Sequence, residues 1–318
     1  MAKSYQFDTS GHPNIYNNNS VRNLKIYFSE PDNGVNDETG LLLFIPGFGG
    51  QANSNVYKKM RAVFADKYNL VTIQCDYFGW EFMQLDQLNE TIDNFNDMGL
   101  LQALDNITAV ILVAEVLKDN NFEFNSDRIW IYGHSHGAYL AYLCNVFAPK
   151  LFSMIIDNSA WLFPAYLQKN RYLTLNGTTT VFDYYAKNIL KDTAVLSLLM
   201  LYQDFENNCE IYSFHGESDT LVTLDEKTMF CKKVNNCNLK QIDQSDIDQK
   251  IFKSTGHGLG ADFLGLFDYV VSKLSNKVYN TVRSDIVLKN QNISTKSNTY
   301  YFDYSGRVPV LSISPNQN

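Results

Sequence analysis

Residues 129–140 read Ile-Trp-Ile-Tyr-Gly-His-Ser-His-Gly-Ala-Tyr-Leu, and this stretch decides the fold. An apolar run of β-forming residues enters Gly133-His134-Ser135-His136-Gly137, and a helix-forming stretch leaves it. A strand that turns straight into a helix needs small residues beside the bend, here the glycines at 133 and 137. Such a turn lifts Ser135 clear of the sheet. It also aims the next backbone N–H, that of His136, at charge developing on a bound carbonyl oxygen. The Gly-x-Ser-x-Gly pattern alone is common by chance; set between a strand and a helix, it predicts a nucleophilic serine.

Working outward, residues 41–45 form a continuous apolar run, as a strand buried on both faces should, and end in Pro46-Gly47-Phe48-Gly49-Gly50. Asn23–Glu30 alternates like a half-buried strand and stops at Pro31. Residues 54–68 have helical spacing, with Val56, Met60, Val63 and Phe64 on one face. Residues 70–75 predict another buried strand, leaving into Asp76-Tyr77-Phe78-Gly79-Trp80, and after a polar, irregular stretch at 81–97 a helix is expected over 99–117. Beyond the turn, 138–147 continue its helix, 152–156 and 209–214 predict strands, 225–234 a helix, 249–253 the last main strand and 261–274 an amphipathic helix. This alternation predicts an α/β fold, a mostly parallel central sheet with helices on both faces and right-handed crossovers. Residues 161–208 break the rhythm, being rich in Tyr, Leu and Phe without a short buried β-run. In the tail, the Asn/Ser-rich residues 290–298 read as a loop, and 299–304 and 307–313 flank Ser305-Gly306 as a β-hairpin.

The 318 residues suffice for one large α/β domain with an insertion. With 45% hydrophobic and 14% aromatic residues the composition is globular, and the net charge of −8 argues against nucleic acid or an anionic membrane as partner. The first eight residues hold no apolar h-region, so no secretory signal is expected, and the apolar run at 107–117 is too short to span a bilayer. Five cysteines without metal-type spacing are read as reduced thiols, which places the protein in the cytoplasm.

Ser135 needs a base, a group that orients the base, and oxyanion donors, with chain order serine, acid, histidine. There are five histidines. His12 lies near the polar N-terminus, His134 and His136 are too close to Ser135 in sequence, and His215 ends a predicted strand. His257 remains, in Ser254-Thr255-Gly256-His257-Gly258, a loop before the final helix. Asp219, after the 209–214 strand, is the expected acid, with Glu217 and Asp157 as rivals and Asp157 the stronger of the two. The oxyanion donors are expected to be the N–H of His136 and one from Gly47-Phe48-Gly49-Gly50, with Phe48 the candidate. His134 and His136 do not have the spacing of a metal site, so neither metal nor cofactor is predicted. Tyr77, Phe78, Trp80, His134 and Trp161 are candidates to shape the pocket, although core packing suits any one of the aromatics as well.

These residues together resemble the α/β-hydrolase superfamily over roughly residues 20–276. Gly47-Phe48-Gly49, the 133–137 turn, His215-Gly216 with Asp219 and Val222, and His257 carry the resemblance, and Asp97-Met98-Gly99 with Gln102, Ala103 and Asp105 is similar to peptidase- and dienelactone-hydrolase-like members. Pro46 departs from it, standing where many lipases and esterases carry a histidine. Asn23–Glu30 with Pro31, and Asn55-Val-Tyr-Lys-Lys-Met-Arg61, are similar to a bacterial α/β-hydrolase-like family of unknown function, some members of which are encoded near flagellin-glycosylation genes. The resemblance implies a core of residues 1–160 and 209–276, a cap at 161–208 and a C-terminal extension at 277–318.

The expected function is therefore an esterase-type serine hydrolase with Ser135, Asp219 and His257 as its triad, acting on a small acyl ester or an acylated sugar. An acyltransferase onto a sugar hydroxyl and a hydrolase-shaped binding protein without turnover remain alternatives, with peptidase activity a weaker one. Oligomeric state is not legible.

Overall fold

The computed structural model describes residues 1–83, 90–175, 177–274 and 286–316. The chain begins with β1 (Lys3–Ser10), paired antiparallel with β2 (Asn23–Glu30) from Lys3 opposite Glu30 to Ser10 opposite Asn23. The sequence reading has no β1, because this edge strand is mostly exposed; Tyr5 and Phe7 supply its apolar contact, on Phe28. Next come β3 (Gly40–Ile45), buried throughout, α1 (Asn55–Tyr68), N-capped by the Ser54 side chain, and β4 (Leu70–Asp76). α2 (Leu100–Asp119), β5 (Ile129–His134), α3 (His136–Phe147) and β6 (Met154–Asn158) continue the alternation.

Within residues 161–208, β7 (Arg171–Leu175) and β8 (Thr178–Phe182) form a two-stranded antiparallel ribbon outside the main sheet, followed by the short helices α4 (Ala186–Ile189) and α5 (Leu198–Leu201). The main sheet then resumes with β9 (Glu210–Gly216), α6 (Leu224–Lys233) and β10 (Cys237–Ile242), before α7 (Phe263–Leu274). Its strand order is β1-β2-β4-β3-β5-β6-β9-β10. The six strands from β4 to β10 in that order run parallel, so their carboxyl ends share one edge. The last main strand is β10, not residues 249–253. Those residues form a turn in which the Asp248 carboxylate accepts the N–H groups of Lys250, Ile251 and Phe252. β10 escapes the sequence reading because, as an edge strand, it carries Asn and Gln at exposed positions and Lys at a half-buried one.

Side-chain alternation divides the core in two. Leu41, Leu43 and Ile45 face α2 and α3, whereas Leu42 and Phe44 face α1 and α7 in a cluster with Phe64, Trp130, Tyr132 and Phe267. α2 is long and apolar enough to cross a bilayer, yet it is largely buried inside the fold. Its Asp105 is compensated by Arg22 at 2.6 Å and by the Phe78 N–H at 2.9 Å.

The tail holds β11 (Gln291–Ser294), β12 (Asn298–Asp303) and β13 (Val310–Pro315), a separate three-stranded antiparallel sheet. The expected hairpin is β12–β13; β11, within the stretch read as a loop, is the third strand. Part of the 277–318 extension, residues 277–285 and 317–318, lies outside the described residues. The small sheet packs on the end of α3, where Phe302 stacks on Phe147 at 4.7 Å, and the Leu311 N–H donates to His12 Nε2.

Candidate active site

Ser135 sits between β5 and α3 with φ 54° and ψ −117°, a conformation that non-glycine residues avoid and that is held here by its surroundings. Its N–H donates to the Asn158 carbonyl (2.8 Å), and its carbonyl accepts from the Tyr139 N–H (3.1 Å). The tightness of the bend is set by glycine: a Cβ on Gly137 would lie 2.1 Å from the Ile45 carbonyl oxygen. Gly137→Ala is thus expected to destabilise the fold by on the order of 3 kcal/mol or more, measured by urea denaturation. A loss below about 0.5 kcal/mol, the range of an innocuous surface change, would contradict this packing.

The structure brings Ser135, His257 and Asp219 into one hydrogen-bonded line. Ser135 Oγ lies 2.7 Å from His257 Nε2, and His257 Nδ1 lies 2.8 Å from Asp219 Oδ2. Asp219 follows β9, with its other oxygen accepting the N–H groups of Leu221 (2.8 Å) and Val222 (3.3 Å). Burial opposes its charge, but the hydrogen bond and charge of His257 and the Leu221 N–H outweigh that, holding the pKa below the ordinary carboxylate value. An ionised Asp219 accepts from Nδ1–H, which leaves the Nε2 lone pair facing the serine hydroxyl. The His257 loop is fastened to the sheet edge: the Gly258 N–H donates to Ser159 Oγ (3.1 Å) and the Ser218 N–H to the Thr255 carbonyl (3.0 Å).

Asp157 is not brought to His257. Both its oxygens are engaged inside the protein, by Lys227 Nζ (2.6 Å), the hydroxyls of Tyr142 and Ser213 (2.8 Å each) and the Ala160 N–H (2.7 Å). His215, fully buried, contacts the Val222 carbonyl through Nε2 at 2.9 Å and stands 3.7 Å from Asp219.

The loop carrying Phe48 is pressed onto the bend, since a Cβ on Gly47 would lie 3.2 Å from Ser135 Cβ and 2.7 Å from His134 Cδ2. Among the described residues, neither the Phe48 N–H nor the His136 N–H donates to a protein acceptor. The two flanking histidines part: His134 packs edge-on to Phe263, while His136 stacks on Trp161 at 5.0 Å. Tyr77, Phe78 and Trp80 line a different depression of about 320 Å³ with Arg22, Asp76 and Glu81. Asp105 holds the Phe78 N–H, and Phe78 stacks on Tyr16 and beneath Arg22, turning this segment toward the N-terminal loop.

Burial, with the His257 charge second, lowers His134 to about 4; burial, with Arg171 second, lowers His136 to about 3. Unfolded histidines take up protons near pH 6.5, so below that pH the unfolded chain binds protons that the native one refuses. Stability is therefore expected to fall from pH 7 to pH 5, by roughly 2–4 kcal/mol from these two rings. Urea denaturation at the two pH values, with His136→Gln flattening the dependence, checks it; equal stability at both would contradict it.

Sequence reasoning misses the insertion residues that reach the site. Phe182 packs edge-on against Phe48 (5.8 Å, 85°), and the Arg171 guanidinium lies over the Phe48 ring at 3.6 Å. No local pattern marks either residue, because the approach is made in three dimensions. Ser159, which anchors the histidine loop, was legible only as a residue just past a strand.

The sequence profile of the prolyl oligopeptidase family matches residues 72–266. No curated protein matches the sequence. Among solved structures the chain is similar to Est1E from Butyrivibrio proteoclasticus, with ferulic acid bound, at 18% identity and a TM-score of 0.53, covering 80% of this chain and 95% of that one. It is also similar to Thermogutta terrifontis esterase 2 phosphonylated by sarin, at 16% identity and a TM-score of 0.55 over 87% of this chain and 95% of that one. Pyrococcus horikoshii acylaminoacyl peptidase matches at 14% identity and a TM-score of 0.57, over 90% of this chain and 43% of that one. At these identities the likeness is one of fold, the α/β-hydrolase fold.

Proposed function

This chain belongs to the prolyl oligopeptidase family, and on that premise we propose that it is an esterase-type serine hydrolase working through an acyl-enzyme. The observation that carries the reading is the continuous line from Ser135 Oγ through both nitrogens of His257 to Asp219, at 2.7 and 2.8 Å. Ser135 Oγ attacks the ester carbonyl and its proton passes to His257 Nε2. The carbonyl oxygen takes up the negative charge and is met by the N–H groups of His136 and Phe48, one such donor being worth about 3 kcal/mol in the transition state. The alcohol leaves with the proton from His257, and water then repeats the sequence to release the acid and restore Ser135. Asp219 keeps the ring in the useful tautomer and stabilises the imidazolium. O-acylated carbohydrate is the proposed substrate class, a choice that rests on the resemblance to the family some of whose members are encoded near flagellin-glycosylation genes.

The contact of Phe182 and Arg171 with Phe48 favours one second reading. If residues 161–208 act as a cap that excludes water, the acyl group passes to a sugar hydroxyl instead. Following p-nitrophenyl acetate and acetylated sugars with wild type and Ser135→Ala tests both readings. Ester turnover lost in the variant is expected, and transfer to added sugar would make the protein an acyltransferase. Equal turnover in the two proteins would remove Ser135 from the mechanism.

A further inference from the structure

We propose that Arg171 recognises a carboxylate on the substrate, so that the preferred ester is an anionic one; this rests on the hydrolase reading above. Arg171 is half-buried at the start of β7, with its guanidinium held between the Phe48 ring at 3.6 Å and the Tyr166 ring at 5.1 Å. Stacking on aromatic faces occupies the flat sides of a guanidinium and leaves its N–H edge to other partners. Part of that edge is unmet. Nε and Nη1 are both buried and, among the described residues, have no hydrogen-bond partner. The Tyr184 hydroxyl meets another part of the guanidinium in a hydrogen bond, and that bond and the Arg171 charge pull against the burial that raises the phenol to about 12. Glu90 also acts on Tyr184, but its two oxygens already accept the N–H groups of Asn96 and Tyr185.

Two further nitrogens unpartnered among the described residues lie in the same aromatic cluster. Tyr166 packs edge-on to Trp161 at 5.5 Å, and Trp161 stacks on His136 at 5.0 Å; Trp161 Nε1 and His136 Nε2 are buried and, among the described residues, without partners. Trp161 Nε1 is a donor only. The cluster runs from the residue after the nucleophile to the loop of Phe48 and carries one positive charge. Buried N–H groups of a cation are costly to leave unmet, so the missing component is an acceptor-rich anion. A carboxylate fits a guanidinium edge in shape and charge. The cation–π stack and the Tyr184 hydrogen bond account for the position of Arg171, but not for the unmet Nε and Nη1.

The test compares wild type, Arg171→Met and Arg171→Lys on two ester pairs. p-Nitrophenyl hydrogen adipate against p-nitrophenyl hexanoate places the carboxylate on the acyl side. 4-Acetoxybenzoate against phenyl acetate places it on the alcohol side. Wild type is expected to favour the anionic member of one pair by about 10- to 100-fold in kcat/KM, chiefly through KM. Methionine keeps the apolar stem over Phe48 and should bring that ratio close to unity, while lysine, a charge without the fork, keeps part of it. No anionic preference in either pair, or equal losses on both members in Arg171→Met, would overturn the proposal. Titrating Ser135→Ala protein with adipate and with 4-hydroxybenzoate needs no turnover and separates this proposal from the hydrolase reading. Binding of one carboxylate, weakened about tenfold or more by Arg171→Met, supports the site even if no ester is turned over. Absence of such binding rejects it.

Discussion

Asp219→Asn is expected to lose about 10⁴-fold in kcat on p-nitrophenyl acetate while keeping its fold, because an amide can hold the His257 ring in the wrong tautomer and supplies no charge to the imidazolium. The partner experiment is Asp157→Asn, which is expected to keep ester turnover when assayed below its unfolding temperature. The two residues look alike in sequence, each an aspartate at or just past the carboxyl end of a parallel strand. In the structure only Asp219 reaches His257, at 2.8 Å, whereas Asp157 is consumed by Lys227, Tyr142, Ser213 and Ala160. Comparable losses from both substitutions, with circular dichroism unchanged, would mean that the acid has been misassigned.

The second large effect is on stability. Lys227 and Asp157 are both fully buried, 2.6 Å apart. Burial alone would strip the proton from Lys227, but the charge of Asp157 outweighs it and raises the ammonium pKa above its ordinary value. Asp157→Ala leaves that ammonium buried and unpaired, and is expected to cost about 3–5 kcal/mol in urea denaturation. Removing both charges, in Asp157→Leu with Lys227→Met, is expected to recover most of the loss, because the desolvation of two ions then disappears with their attraction. A single-variant loss under about 1 kcal/mol, typical of an exposed pair, would contradict the burial of this ion pair.

What was legible in the sequence is what local pattern encodes. Gly133, Ser135 and Gly137 mark the bend because a strand cannot turn into a helix there with larger neighbours, and the strands buried on both faces announce themselves as apolar runs. Edge strands do not: β1 and β10 expose much of their surface, so the pattern shows no β1 and points to 249–253 as the last strand. β11 reads as a loop for the same reason, since Gln291–Ser294 alternates only between half-buried and exposed positions. At the site, elimination led to His257, but the choice of Asp219 over Asp157 depends on Lys227, seventy residues away from Asp157. Arg171 was invisible for a related reason: its meaning comes from Phe48 and Tyr166, which only the folded insertion brings to it.

The most direct test of the central claim is to treat the purified protein with a fluorophosphonate, which reacts with an activated serine whatever the natural substrate, and to locate the adduct by peptide mass spectrometry. A single adduct on Ser135 of wild type, abolished in Ser135→Ala and strongly slowed in His257→Ala, is the predicted result. A folded wild type that remains unlabelled, or that labels at the same rate without His257, would contradict it.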